Sequence, residues 1–296
     1  MLEPQEGLLP EDVIRAARLS EKLGFGYILR SDHLLPTSGR RGISSPECWT
    51  TLGAIAASTN KIKFGPLVSP VGFRNPALLA RMATTVNSLS KGRLQLGLGA
   101  GWYEDEYKAF GIPFPDFKER RNQFLEALRI IRVLVDEGKV NFDGRYFSAH
   151  METRLDIKGI KIVVGGKAPS IIRAASKYAD EWNVFAPTKD EFARLRQNLT
   201  SQVQVSQMGP FFIADNHDTL KQKIIGRMKS VGVSVTYDDY LKRLRSRNVI
   251  MGTTREFSDQ LKERVGWGIS KFYFQTLEPN DEESIGLLAD TLKSIS

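Results

Sequence analysis

Arg93-Leu94-Gln95-Leu96-Gly97-Leu98-Gly99-Ala100-Gly101-Trp102-Tyr103-Glu104 is the stretch on which the fold turns. It reads as a short strand, Leu94-Leu98, running into glycines at alternate positions, where the backbone can come close to a ligand. A dinucleotide-binding fingerprint would need a third glycine at the position held by Trp102, so that kind of site is disfavoured. Trp102 and Tyr103 either wall a planar ligand or open the next helix as packing residues.

Outward from this stretch the chain alternates. Short β-branched and aromatic runs occur at Gly26-Arg30, Lys61-Val68, Lys161-Val164, Glu181-Phe185, Pro210-Ala214 and Lys271-Thr276, with Met1-Pro4 as a very short candidate at the start. Between them lie segments with helical apolar spacing, the pattern of βαβ units and a parallel sheet. In Pro10 to Leu23, for example, Val13, Ala16, Ala17 and Leu23 share a face. Pro10, Pro46, Pro76 and Pro169 suit first helical positions, with Ser45 and Asn75 as N-caps. Gly24, Gly138 and Gly232 suit helix ends. Eight strands in 296 residues give about 37 residues per unit, somewhat above a typical (β/α)8 barrel, so loop insertions are expected. The expected fold is one α/β domain, residues 1–296, folded as a TIM-type (β/α)8 barrel with a short or truncated first strand. A doubly wound open sheet is the competitor, because alternation does not say whether the sheet closes. Ser148-Lys158 and Asn198-Met208 are the least regular stretches.

Composition narrows the function. With 41% hydrophobic residues the chain can bury a full core, yet no apolar run approaches the ~18 residues of a membrane helix. The acidic, proline-broken start is unlike a secretory signal, and the single Cys48 offers neither an internal disulfide nor a thiolate cluster for a metal. The expectation is a cytoplasmic protein without membrane or metal. Its net charge of +8 is spread over the chain. The modest clusters at Lys118-Arg121 and Lys242-Arg247 read as solvated helix faces, with no nucleic-acid-binding motif beside them.

Four constellations could carry chemistry. Arg30-Ser31-Asp32-His33 follows a strand, at the end where parallel sheets bind ligands, and pairs a proton-relay imidazole with a carboxylate. Gly97-Glu104 is the second. Gly165-Gly166-Lys167-Ala168-Pro169-Ser170 offers free N–H groups at a helix start, a charge and a hydroxyl, which suits a phosphate. Gly65 to Pro76, with three prolines and two glycines, fixes a bent path that either shapes a pocket floor or is a stiff loop. Cys48 and Trp49 read equally as pocket lining and as core.

Together these motifs, with Leu96 to Tyr107, Ala109-Phe110-Gly111 and Tyr178-Ala179-Asp180-Glu181-Trp182-Asn183, resemble the bacterial luciferase-like superfamily of flavin and deazaflavin oxidoreductases, and within it the branch using coenzyme F420. The resemblance spans nearly the whole chain. It implies a (β/α)8 barrel, a homodimer, and hydride transfer between the deazaflavin C5 and a small-molecule substrate. It places Asp32 and His33 near ring and substrate, with His33 as proton relay. It implies a non-prolyl cis peptide at Leu67-Val68, with Ser69 beside it, behind the ring. Gly99, Ala100 and Gly101 would approach the cofactor chain, and Gly165, Gly166, Lys167 and Ser170 its phosphate. The positive charge would favour a cofactor bearing a phosphate and an oligoglutamate tail. Three departures stand out. Trp102 occupies the place of a glutamate found in sugar-phosphate and alcohol dehydrogenases of the superfamily, Ser148-Ile160 lacks a common proline-rich run, and Met1 falls inside the usual first strand. The alternatives are an FMN-dependent monooxygenase and a non-catalytic flavin-binding protein, with a nucleic-acid-binding protein last.

Overall fold

In a computed structural model, which describes every residue except 39, 41, 44, 152–158, 277, 280 and 296, the alternation builds a ring of parallel strands inside a layer of helices. The first half runs α1 (Pro10–Lys22), β1 (Tyr27–Arg30), α2 (Cys48–Ser58), β2 (Lys63–Pro66), β3 (Ser69–Pro70), α3 (Pro76–Leu89), β4 (Gln95–Gly99), α4 (Glu104–Ala109) and α5 (Phe117–Glu137). Then come β5 (Val140–Asp143), β6 (Ser148–Met151), β7 (Lys161–Gly165), α6 (Pro169–Tyr178), β8 (Glu181–Phe185), α7 (Lys189–Arg196) and β9 (Gln204–Ala214). The chain ends with α8 (His217–Ser230), α9 (Tyr237–Ser246), β10 (Ile250–Thr253), α10 (Thr254–Trp267), β11 (Lys271–Gln275) and α11 (Glu282–Ile295).

The pairs β1–β2, β3–β4, β4–β7, β7–β8, β8–β9 and β9–β11 are all parallel. A bridge between Phe64 and Leu94 joins the two sheets so formed, and Leu2 bridges both Arg30 and Thr276. The Leu2 amide donates to Leu29 O at 2.8 Å, Ser31 N donates to Leu2 O at 3.1 Å, and Thr276 N donates to Met1 O at 3.0 Å. Through these contacts the circuit closes. The expected first strand is present as this bridged residue, and residues Pro4–Glu6 already turn into a 3-10 helix.

Two apolar layers hold the ring. Outside it, Leu52 and Ile55 of α2, Leu79 and Ala83 of α3, and Phe124 and Ile131 of α5 pack on the strands. Inside it, Leu29, Leu67, Val163 and Tyr273 meet. The amino-terminal end of the ring is plugged by a polar chain. Gln95 Nε2 donates to Tyr273 Oη at 2.9 Å, that hydroxyl donates to Glu181 Oε1 at 2.9 Å, and Lys271 Nζ donates to Glu181 Oε2 at 2.5 Å. Space for a ligand is therefore left at the strands' carboxyl ends.

Several sequence expectations need correction. Lys61-Val68 is interrupted, because the cis peptide at Leu67-Val68 separates β2 from β3. The irregular reading of Asn198-Met208 and the short strand Pro210-Ala214 are replaced by the eleven residues of β9, whose first half pairs β8 and β11 and whose last four residues pair β10. Its Gly209 and Pro210 hid this continuity. Helix α2 is capped by Glu47, whose side chain accepts from Thr50 N, and not by Ser45 with Pro46 at the first helical position. Ser148–Met151 of the stretch read as irregular forms an antiparallel hairpin with β5, and residues 152–158 lie outside the described ones. Lys118 and Lys242 are exposed on α5 and α9, but Arg120 is half-buried with its guanidinium 3.8 Å from the Phe114 ring centroid, so the first cluster is only in part a solvated face. Cys48 and Trp49 belong to the core. Among the described residues, no helix is long and apolar enough to cross a membrane.

Candidate active site

The carboxyl ends of the strands surround a cavity of about 670 Å³, within the usual ~300–1,000 Å³ of ligand pockets. Its wall includes Asp32 and His33 after β1, Leu67 and Val68, Gly99 to Trp102 after β4, and Gly165 to Ala168 after β7. Four motifs far apart in sequence are thus brought to one rim. Ser69 and Ser170 are not on the wall.

His33 is held from behind. Its Nδ1 lies 3.1 Å from both carboxylate oxygens of Glu106 on α4, and Glu106 Oε2 also accepts from Leu34 N at 2.9 Å. An ionised carboxylate only accepts, so Nδ1 carries a proton and donates it to Glu106. That leaves Nε2 to exchange a proton with a ligand. Trp102 and Tyr103 stand edge-on to the imidazole at 5.5 and 6.2 Å between centroids. Burial would lower the His33 pKa, but the hydrogen bond and charge of Glu106, with Glu3 and Asp32 further off, raise it above its ordinary value.

Asp32 has a different situation from the one its sequence position suggested. Its carboxylate accepts from Ser69 Oγ at 2.6 Å and from Arg74 through two contacts of 2.7 and 3.2 Å, with the side chain fully buried. Burial raises its pKa, and Arg74 and Ser69 oppose that. A guanidinium does not give up its proton, so the two-point contact is an ion pair. Arg74 also reaches Glu47 Oε1 at 2.7 Å, and Trp49 Nε1 donates to Ser69 Oγ at 3.2 Å. Asp32 and Ser69 are therefore occupied in bracing the segment around Leu67-Val68. Arg30 is structural too, since it is buried and donates to the backbone at Ser31, Pro46 and Glu47 and to Thr51 Oγ1.

The glycines have a dual role. A Cβ on Gly97 would sit 2.2 Å from Pro66 O, and one on Gly99 would sit 2.5 Å from Val68 Cγ2. Close packing of β4 against the bent third strand demands them before any ligand does. Gly101, at φ +79°, has the Tyr107 hydroxyl where its Cβ would be. At the opposite rim, α6 begins at Pro169 with Ala168 as N-cap and no side-chain cap. Pro169 has no N–H and Ile171 N donates to Ala168 O at 2.9 Å, so in this first turn Ser170 N is the N–H without a partner among the described residues. Lys167 Nζ is already 2.8 Å from Glu191 Oε1.

Sequence reasoning missed Glu106, Arg74 and the inward residues Glu3, Asn183, Met208 and Gln275. Glu106 carried a faint signal, one helical turn after Trp102 in a motif already singled out. Arg74 sat unremarked in the proline-rich loop.

The luciferase-like monooxygenase family matches residues 3–267. The chain belongs to that family. Among curated luciferase-like relatives, the F420-dependent glucose-6-phosphate dehydrogenase of Beutenbergia cavernae is 34% identical over 178 residues, 59% of this chain and 52% of that protein. The chain thus spans about half the length of the curated relatives it matches. The coenzyme F420 dependent tetrahydromethanopterin reductase of Methanopyrus kandleri superposes with a TM-score of 0.78 at 17% identity, covering 99% of this chain and 97% of that one. A type II Baeyer-Villiger monooxygenase component from Pseudomonas putida, in complex with FMN, gives 0.75 at 18%, covering 95% and 92%. These likenesses establish the barrel fold for this member of the family.

Proposed function

We propose that the chain is an F420-dependent oxidoreductase that exchanges a hydride between the deazaflavin C5 and a small organic substrate in the strand-mouth cavity. The observation that carries this reading is one cavity flanked by His33, backed by Glu106, on one side and by the open amino terminus of α6 on the other. The family match and the F420-dependent relatives support the choice of cofactor, and the same barrel with FMN makes a flavin the second reading.

The residues present fit such a group. The cavity wall is apolar at Leu67, Val68, Ala100, Trp102 and Phe185, as a planar ring needs. Gly166 N donates to Asn183 O at 3.3 Å, and the N–H groups of Lys167, Ala168 and Ser170, without partners among the described residues, suit a phosphate beside Gly165 and Gly166, with the helix dipole behind them. Lys167 adds little direct charge, being paired with Glu191.

Bound there, a deazaflavin supplies two-electron hydride chemistry. The protein supplies the rest. His33 holds a proton on Nδ1 against Glu106 and presents Nε2 to take from, or give to, a substrate oxygen or nitrogen the one proton that accompanies the hydride. Asp32, anchored by Arg74 and Ser69, keeps the segment around Leu67-Val68 in place and is a positioning residue. Trp102 and Phe185 narrow the opening and limit water. Glucose 6-phosphate is not carried over from the curated relatives, because Trp102 stands where such dehydrogenases place a glutamate.

Titration of the purified protein with F420 and with FMN, followed by absorbance and fluorescence, tests the reading. Micromolar F420 binding is expected. Tight FMN binding without any response to F420 would overturn it in favour of the monooxygenase.

A further inference from the structure

Glu3 is a carboxylate that the mechanism above does not use. It lies on the bridged first strand between β1 and β11 and is 6% exposed. It lines two cavities at once, the strand-mouth cavity and a second of about 400 Å³ bounded by Pro210 to Ile213 of β9, α8 and α11. Thr37 and Gln275 are the other residues common to both. Glu3 therefore marks their junction.

Its hydrogen bonds come from neutral groups. Gln275 Nε2 donates to Oε1 at 2.6 Å and Gln5 Nε2 donates to Oε2 at 2.7 Å, with Gln5 itself fixed by Ser31 Oγ at 2.5 Å. Among the described residues, no ion pair includes Glu3. Each oxygen of a carboxylate can take about two hydrogen bonds, so accepting capacity remains on the cavity wall. The other charged side chains of the second cavity have partners of their own, Asp281 accepting from Ser284 N at 3.0 Å. Lys223 donates to Ser284 Oγ at 2.7 Å and pairs with Glu283 at 3.2 Å, Arg227 lies 3.5 Å from Glu278, and Glu6 accepts from Thr37 and Ser38. A donor-bearing ligand completes this buried carboxyl group, whereas a carboxylate or phosphate brings further acceptors and no donor to it.

We infer that Glu3 is a substrate-recognition residue, and that the substrate carries a hydrogen-bond donor at this junction, a protonated amine bound tightest and a hydroxyl next, with no phosphate or carboxylate there. Calling this ligand a substrate rests on the proposed function; the binding preference does not. The oxygens of Glu3 select for a donor, and Gln275 and Gln5 fix the direction from which it must arrive.

Three probes of one skeleton, cyclohexylamine, cyclohexanol and cyclohexanecarboxylate, test this by ligand-observed NMR titration of the full chain with and without F420. The wild-type protein should bind the amine at least about tenfold tighter than the carboxylate, with the alcohol between. Glu3→Gln should abolish or reverse that order, both with and without F420. Equal binding of amine and carboxylate by the wild type, which needs no variant to fold, would overturn the inference. So would an unchanged preference in Glu3→Gln. A protein that shows the preference but ignores F420 refutes the cofactor reading alone.

Discussion

A histidine and a carboxylate 73 positions apart in the chain meet at 3.1 Å, and this contact sets the acid-base behaviour of the site. Glu106 raises the His33 pKa, so the imidazolium persists above the pH at which an ordinary histidine, near 6.5, loses its proton. Glu106→Gln removes the main opposition to burial and leaves only the more distant Glu3 and Asp32 against it. The His33 pKa, read from the Cε1 proton by NMR, should then fall below the wild-type value, and any pH profile of hydride transfer should move the same way. Stability follows with a definite sign. A folded-state pKa raised above the unfolded one contributes stability that is fully present below about 6.5 and is lost as pH rises through the raised value. Glu106→Gln should therefore cost about 2 kcal/mol near pH 6, and less above the raised pKa, in urea unfolding at the two pH values. Equal losses at both would mean that His33 is not the titrating partner.

Strand β4 and helix α6 show how elements position the chemistry. The alternate glycines of β4 let it lie against the bent segment Pro66 to Val68, since a Cβ at Gly97 would meet backbone oxygen at 2.2 Å. Backbone cannot step aside as a flexible side chain can. Gly97→Ala should lower the unfolding free energy by about 2–4 kcal/mol by forcing β4 off its neighbour, and an unchanged thermal midpoint would contradict this packing. At α6 the element matters more than its charged side chain. Gly166 has φ +148° and would place a Cβ 3.0 Å from Ile171 Cγ2. Gly166→Val should weaken F420 binding by at least about tenfold. Lys167→Ala should cost less than about threefold, because Lys167 is already spent on Glu191. A reversed order in fluorescence titration would return the phosphate contact to the lysine.

The whole ring depends on a single residue at its seam. Leu2 joins β1 to β11 by bridges on both sides and is 3% exposed. Leu2→Ala should destabilise the protein by about 2–4 kcal/mol through lost packing. Leu2→Pro should cost more, because it also removes the N–H that donates to Leu29 O. If urea denaturation finds the proline variant no worse than the alanine one, the seam's backbone bonds contribute nothing. The ring also explains why the cavity lies where it does. The plug of Gln95, Tyr273, Glu181 and Lys271 fills one end, and the glycine-rich strand ends leave the other open.

The sequence by itself determined the alternation of strands and helices, the alternate glycines Gly97 and Gly99, the cis-peptide segment through its family resemblance, and the rim motifs at His33, Gly99 to Gly101 and Gly165 to Lys167. These are local properties: periodicity, helix starts and backbone freedom act over a few residues, so a few residues reveal them. Only the tertiary structure decided the partners. Nothing near Asp32 in sequence shows that Arg74 takes up its carboxylate, nothing near His33 singles out Glu106, and Glu3 finds Gln275 across 272 positions. Strand ends distant in the chain converge only when the ring closes, and closure also hid the length of β9 behind Gly209 and Pro210. A carboxylate's role depends on which charges and donors surround it in space, and here Asp32 meets Arg74 and Ser69 while Glu3 meets two glutamine amides.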